Sequence, residues 1–175
     1  MSYKFYSDIP ASSISWKDTR SVKDIKYIVV HYTGNQFDTA RNNALFFRDV
    51  NKRKAGAHLF VDETSVYQSI APHKIAYSVG GAKLPTCVIS GGGKLHGKCT
   101  NANSISVELC SQYGAFSAKT LDNAEECIKN LMKKYNISSS RVVRHFDVTG
   151  KQCPGWSGWY GKDSSKWYEF KKRFL

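Results

Sequence analysis

His145 and Cys153 stand eight residues apart in the stretch Arg144-His145-Phe146-Asp147-Val148-Thr149-Gly150-Lys151-Gln152-Cys153-Pro154-Gly155. An imidazole nitrogen and a thiolate are good transition-metal ligands. Zinc takes both in tetrahedral geometry, and a catalytic site keeps one position open for water. The apolar pair Val142-Val143 leads into the stretch and Pro154-Gly155 closes it. That layout lets a strand end deliver one ligand and the following loop a second. Two ligands do not hold zinc, so a third is expected elsewhere, from His31, His58, His73 or His96. His31 is the best placed, because it closes a dense apolar run and precedes a small-residue turn. His58 begins a strand-like run and could line the same sheet, whereas His73 and His96 sit in polar loops. His96-Gly97-Lys98-Cys99 is half of a metal motif with no partner pair. Spacing alone leaves the choice open, since a lone histidine is more often structural or a general base.

The elements that must position these groups alternate between two periods. Ile25 to Tyr32 is β-branched and aromatic, reads as a central strand buried on both faces, and puts His31 at its C-terminal end. Active sites of α/β sheets gather at such ends. A helix is expected from Asp38-Thr39 to about Asn51, with Ala40, Ala44, Phe47 and Val50 at helical spacing. Strands follow at Ala57–Val61, Val66–Ile70, Lys74–Ser78 and Ser104–Cys110. Ser117 to Asn136 carries Leu121, Ala124, Ile128, Leu131, Met132 and Tyr135 on one helical face. Arg141–His145 is the last strand, and a basic helix runs from Asp163 to about Phe174. Residues 1–24, with Pro10 and scattered serines, read as an irregular arm over the surface. Residues 80–103, punctuated by Gly80-Gly81, Gly91-Gly92-Gly93 and Gly97, read as a long loop or insertion. Strands interleaved with helices and no internal repeat make residues 25–175 a single α/β domain, with a central mixed sheet flanked by helices.

Bulk properties bound the partners. A chain of 175 residues with 41% hydrophobic and 23% charged residues is an ordinary globular domain. No apolar run reaches the length of a membrane span. Met1–Asp8 lacks the hydrophobic core of a secretory signal, so synthesis in the cytoplasm is expected. The net charge of +12 points to a polyanionic partner: nucleic acid, a membrane surface or an anionic wall polymer. No basic recognition helix or RNA-binding signature stands out, so nucleic acid is not the expected partner. Cys87, Cys99, Cys110, Cys127 and Cys153 form an odd set without repeating spacing, which argues against a disulfide framework.

Four stretches, taken together, have a family pattern: Val29-Val30-His31-Tyr32-Thr33-Gly34, Ala57–Asp62, Ser104–Leu109, and Arg144–Asp147 through Lys151–Gly155. In order and spacing they resemble the type 2 N-acetylmuramoyl-L-alanine amidases, which include phage endolysins and share a fold with peptidoglycan recognition proteins. The resemblance covers residues 25–156. It implies a zinc hydrolase that cuts the amide between the lactyl group of N-acetylmuramic acid and L-alanine of the stem peptide. By motif match it implies one zinc ion held by His31, His145 and Cys153, a catalytic glutamate at Glu108 and a cation at Lys151. Tyr32, His58 and Trp156 are the expected substrate contacts, with lining the sheet the other reading for His58. Asp147 either orients a ligand histidine or caps the turn. Some relatives carry a tyrosine immediately before the histidine at position 58. Here that residue is Ala57, which favours Glu108 as the base. The partner implied is bacterial peptidoglycan, reached by a monomer after release from the cell, as a phage or prophage endolysin would be.

Three alternatives stand beside this. A peptidoglycan-binding module of the same fold without catalysis would not need Cys153, Lys151 and Glu108. A cysteine hydrolase would use Cys153 as nucleophile and His145 as base, but Pro154 makes a helix N-terminus there unnatural, and that is the usual device for lowering a thiol pKa. Nucleic-acid binding would show as steeply salt-dependent association with duplex.

Overall fold

The computed structural model describes residues 2–175. Eight strands and five helices build it: β1 Lys4–Tyr6, β2 Trp16–Thr19, β3 Tyr27–Tyr32, α1 Ala40–Leu45, β4 Leu59–Val61, β5 Ser65–Gln68, β6 Lys74–Ala76, α2 Cys87–Ser90, β7 Ser104–Leu109, α3 Ala118–Tyr135, β8 Val142–Arg144, α4 His145–Thr149 and α5 Ser165–Lys172. Six strands form one mixed sheet in the order β1-β5-β4-β7-β3-β8, and β2 pairs with β6 in a separate ribbon. Only β4 and β5 run antiparallel within the main sheet. This is the mixed sheet flanked by helices that the alternating pattern predicts.

β3 is the axis, paired in parallel with β7 on one side and β8 on the other. Its Ile28, Val29 and Val30 are fully buried, as a strand covered on both faces requires. Each such side chain contributes about 1.5–3 kcal/mol by leaving water. Side chains alternate across a strand, so Ile28 and Val30 pack into the main core with Val107, Ala124 and Ile128 under α3. Val29 and His31 face the other way, Val29 against Val79, Val143 and Val148. Register sets His31 of β3 directly opposite Glu108 of β7, so these two side chains share that second face.

Several local expectations change. The first 24 residues are not irregular throughout: β1 adds a parallel edge strand to β5, and β2 pairs with β6. Both strands are short and mostly exposed, which hides their period. The expected helix at 38–51 is α1 followed by a wider π-type turn at Phe46–Val50. The last strand stops at Arg144, and His145 is the first residue of α4. The glycine-rich segment contains α2 and is tied to α4 by Leu84 N–H donating to Thr149 O (2.8 Å), Gly93 N–H to Phe146 O (2.9 Å) and Leu95 N–H to Asp147 O (2.9 Å). All five cysteines are buried and unpaired. Among the described residues no helix is long and apolar enough to cross a membrane.

Candidate metal centre and catalytic cleft

α4 is held by the residue before it. The guanidinium of Arg144, only 5% exposed, donates through Nη1 to Trp159 O and Ser164 Oγ, both at 2.8 Å, and through Nε and Nη2 to Asp147 at 3.1 and 2.7 Å. Asp147 Oδ2 also accepts from the Arg144 backbone N–H at 2.8 Å. Asp147 therefore caps α4 and neutralises a buried cation, the second of its two possible roles. The spacing Arg144-x-x-Asp147 was the available signal for this pair, hidden by the metal motif around it. Removing one partner of a buried pair strands the other charge. Because the Asp147 side chain is 23% exposed, Asp147→Ala is expected to destabilise by about 2–3 kcal/mol, below the value for a fully buried pair. A urea midpoint measured at constant slope checks this.

With His145 at the start of α4, the chain turns back through Gly150 and returns Cys153 to it. The Phe146 N–H donates to Cys153 O at 3.0 Å. His31 meets both from the end of β3. His145 Nδ1 lies 3.1 Å and Cys153 Sγ 3.7 Å from His31 Nδ1, and one ligand atom from each residue falls within 4.8 Å of the others. A tetrahedral ion with bonds of about 2.05 Å to nitrogen and about 2.3 Å to sulfur separates two nitrogens by about 3.3 Å, and nitrogen from sulfur by about 3.6 Å. The two distances from His31 thus match those of ligands around one ion, and the third donor pair lies within reach of the same point.

Electrostatics agree with that spacing. Burial lowers the pKa of His145 to about 4, helped by the charge of Lys151. Burial likewise holds His31 well below its usual range, with His145 and Lys151 adding to the effect. Both rings are therefore neutral, the form a metal binds. Burial pushes the Cys153 thiol up. A thiol in that state is no nucleophile on its own, whereas a coordinated cation would draw its proton off outright. The cysteine-hydrolase alternative loses its activated thiolate here.

Glu108 sits beside this cluster, its Oε1 3.9 Å from His31 Nδ1 and its side chain 19% exposed. Oε2 is buried without a hydrogen-bond partner. Burial raises its pKa to about 8, against the opposing pull of Lys151. Glu108 and Lys151 line one cavity of about 480 Å³ together with Tyr32, Thr33, Asp38 and Arg53. Thr33 Oγ1 and Asp38 Oδ2 are also buried and unpartnered, so three unsatisfied groups border the same space. Thr33 and Asp38 were missed as site residues. Their signal was position, since both follow the C-terminal end of β3.

The expected substrate contacts divide. Tyr32 and Trp156 are both half-buried and pack edge to face, centroids 5.4 Å apart, beside the metal cluster. His58 takes the sheet-lining place and not the substrate-facing one: it is 1% exposed. Its Nδ1 accepts from the Ser106 N–H at 3.1 Å and its Nε2 donates to Lys74 O at 3.1 Å. With both ring nitrogens engaged and burial plus the adjacent Arg20 lowering its pKa to about 3, His58 locks β4 against β7 and offers no surface to a substrate. Ser106, in register to receive it, is why the ring turns inward.

Residues 21–156 match the sequence profile of a family described as N-acetylmuramoyl-L-alanine amidase. The amidase CwlL of Bacillus licheniformis is 32% identical over 154 residues, which are 85% of this chain and 40% of that protein. BlyA of Bacillus subtilis, an N-acetylmuramoyl-L-alanine amidase, is 31% identical over 87% of this chain and 41% of its own length. The chain thus spans about two fifths of the length of these curated relatives. Among solved structures, a mutant endolysin from Bacillus subtilis superposes with a TM-score of 0.75 at 26% identity, covering 100% of both chains. The catalytic domain of XlyA superposes with a TM-score of 0.72 at 26% identity, covering 98% of each.

Proposed function

The chain belongs to the N-acetylmuramoyl-L-alanine amidase family, and from that premise we propose that it hydrolyses the amide joining N-acetylmuramic acid to L-alanine of the peptidoglycan stem peptide. The observation that carries this reading is the convergence of His31, His145 and Cys153 on one point, with the unpartnered Glu108 carboxylate next to it. These three residues would hold zinc, which when bound lowers the pKa of its water to about 7 and polarises the amide carbonyl.

The remaining work falls to the chain. Glu108 has a free oxygen to take a proton from the attacking water and return it to the departing amine of L-alanine. Burial raises the pKa of that carboxyl, which suits it to hold the proton and hand it on to the leaving amine. Lys151, exposed on the loop between two ligands, places a cation where the tetrahedral oxyanion develops. Tyr32 and Trp156 form the aromatic wall on which the substrate is positioned. The +12 charge suits a polyanionic cell wall, where the enzyme would act as a monomer once released from the cell.

Removing Lys151 has two expected consequences. Lys151→Ala lowers kcat about 10²–10³-fold, the range for losing one oxyanion-stabilising donor. It also moves the acidic limb of the pH–rate profile to higher pH, because a cation that holds Glu108 ionised is gone. A full profile of the variant against wild type reads both. The reaction itself is tested by the products from purified peptidoglycan. New amino-terminal alanine with intact reducing sugars supports the assignment. New reducing ends, or new amino termini other than alanine, overturn it. A non-catalytic wall-binding module would release nothing, and nothing about Glu108 or Lys151 would then need their placement.

A further inference from the structure

The glycine-rich segment plays no part in the chemistry above, yet it is built with care. Gly92 and Gly150 are packed so closely that a Cβ on Gly92 would meet Gly150 Cα at 2.8 Å, and one on Gly150 would meet Cys87 Sγ at 2.2 Å. Cys87 is buried, and its Sγ donates to Thr149 O at 3.4 Å. With the three backbone bonds to α4 already described, α2 is pinned to the body of the protein on one side. Its other side presents Val88 and Ile89, 93% and 76% exposed, next to Leu84 at 41%. Two β-branched apolar side chains on a braced turn are held out into water. Along the segment the charge has one sign: residues 64–107 contain no Asp or Glu, while Lys83, Lys94 and Lys98 are exposed.

We propose that this turn docks on an anionic lipid bilayer, with Val88 and Ile89 entering the interface and Lys83, Lys94 and Lys98 facing the head groups. An apolar tip on a segment whose exposed charges are lysines matches both parts of such a surface, the acyl boundary and the negative head groups. The other occupants match one part each. A hydrophilic polyanion of the wall satisfies the lysines but leaves Val88 and Ile89 in water. A second copy of the same turn covers the apolar side chains but sets the lysines of one segment against those of the other, with no acid in residues 64–107 to offset them. The inference stands whichever bond the metal cleft cuts, since the turn lies outside it.

Sedimentation with vesicles tests it on the full chain. Vesicles of phosphatidylglycerol and phosphatidylethanolamine are compared with phosphatidylcholine vesicles. Wild type is expected to bind the anionic vesicles at least ten-fold more strongly, and less so as salt rises. Val88→Asp/Ile89→Asp is expected to lose that binding ten-fold or more while hydrolysing purified peptidoglycan at the wild-type rate. Both side chains are exposed, so folding does not depend on them. Lys83→Glu/Lys94→Glu/Lys98→Glu is expected to lose binding as well. Unchanged vesicle binding by the aspartate variant would assign the interaction to charge elsewhere and overturn the proposal. So would a wild type that ignores anionic vesicles, an aspartate variant that instead loses binding to wall material, or one that converts a dimeric wild type to monomer.

Discussion

Replacing any one of His31, His145 and Cys153 by alanine is expected to remove stoichiometric zinc and lower peptidoglycan hydrolysis by at least about 10⁴-fold, since the activated water and the polarised carbonyl disappear together. The three should behave as a unit, a double substitution costing little more than a single one. Stability should move differently from activity. The donor atoms lie in a buried pocket with nitrogens 3.1 Å apart, so in metal-free protein the substitutions relieve a crowded polar cluster. In zinc-loaded protein they forfeit the stabilisation that binding to the folded state provides. Thermal unfolding with and without added zinc should therefore show a zinc-dependent rise for wild type and none for Cys153→Ala. A rise that survives in Cys153→Ala would place the metal elsewhere.

Glu108→Gln is the second large effect, with opposite signs on rate and stability. The amide keeps the shape and loses the proton transfer, for an expected fall in kcat of about 10²–10⁴-fold with zinc content unchanged. The folded carboxyl is raised to about 8, while an unfolded glutamate titrates at about 4.3. Between those values the native state holds a proton that the unfolded state has released. Stability of the metal-free protein then falls as pH rises through that window, by up to about 1.4 kcal/mol per pH unit. Glutamine cannot ionise, so the variant should be the more stable of the two at pH 8 and equal to wild type near pH 4. Denaturation midpoints at the two pH values check this. A variant equally stable at both would mean that Glu108 is solvated rather than buried.

The sheet was legible from the pattern of its strands, and the grouping of His31, His145 and Cys153 from the resemblance of their motifs to a known family. β3 and β7 are dense β-branched runs whose period is plain, and β3 leads straight to His31. What the sequence hid was set by tertiary context. β1 and β2 are short and mostly exposed, and exist because β5 and β6 offer them edges. The boundary at Arg144 was misread because β8 looks continuous with His145. Only the buried bonds from Arg144 to Asp147, Trp159 and Ser164 show why a helix begins there. His58 looked like a substrate contact because its motif resembles one that lines the site. Its ring is turned inward by Ser106, a pairing across 48 residues that no local pattern carries. Asp38 and Thr33 became visible only as unsatisfied atoms beside Glu108, a property of the cavity rather than of the chain.

The proposed reaction requires His31, His145 and Cys153 to hold one zinc ion and Glu108 to move the proton as the bond before L-alanine is cut. It is tested most directly by back-titration. Protein stripped of metal is given zinc in steps, and new amino-terminal alanine from purified peptidoglycan is measured at each step. Alanine release that is absent at the start, rises in proportion to added zinc and levels off at one ion per chain is the predicted result. Release at the full rate before any zinc is added would contradict the account.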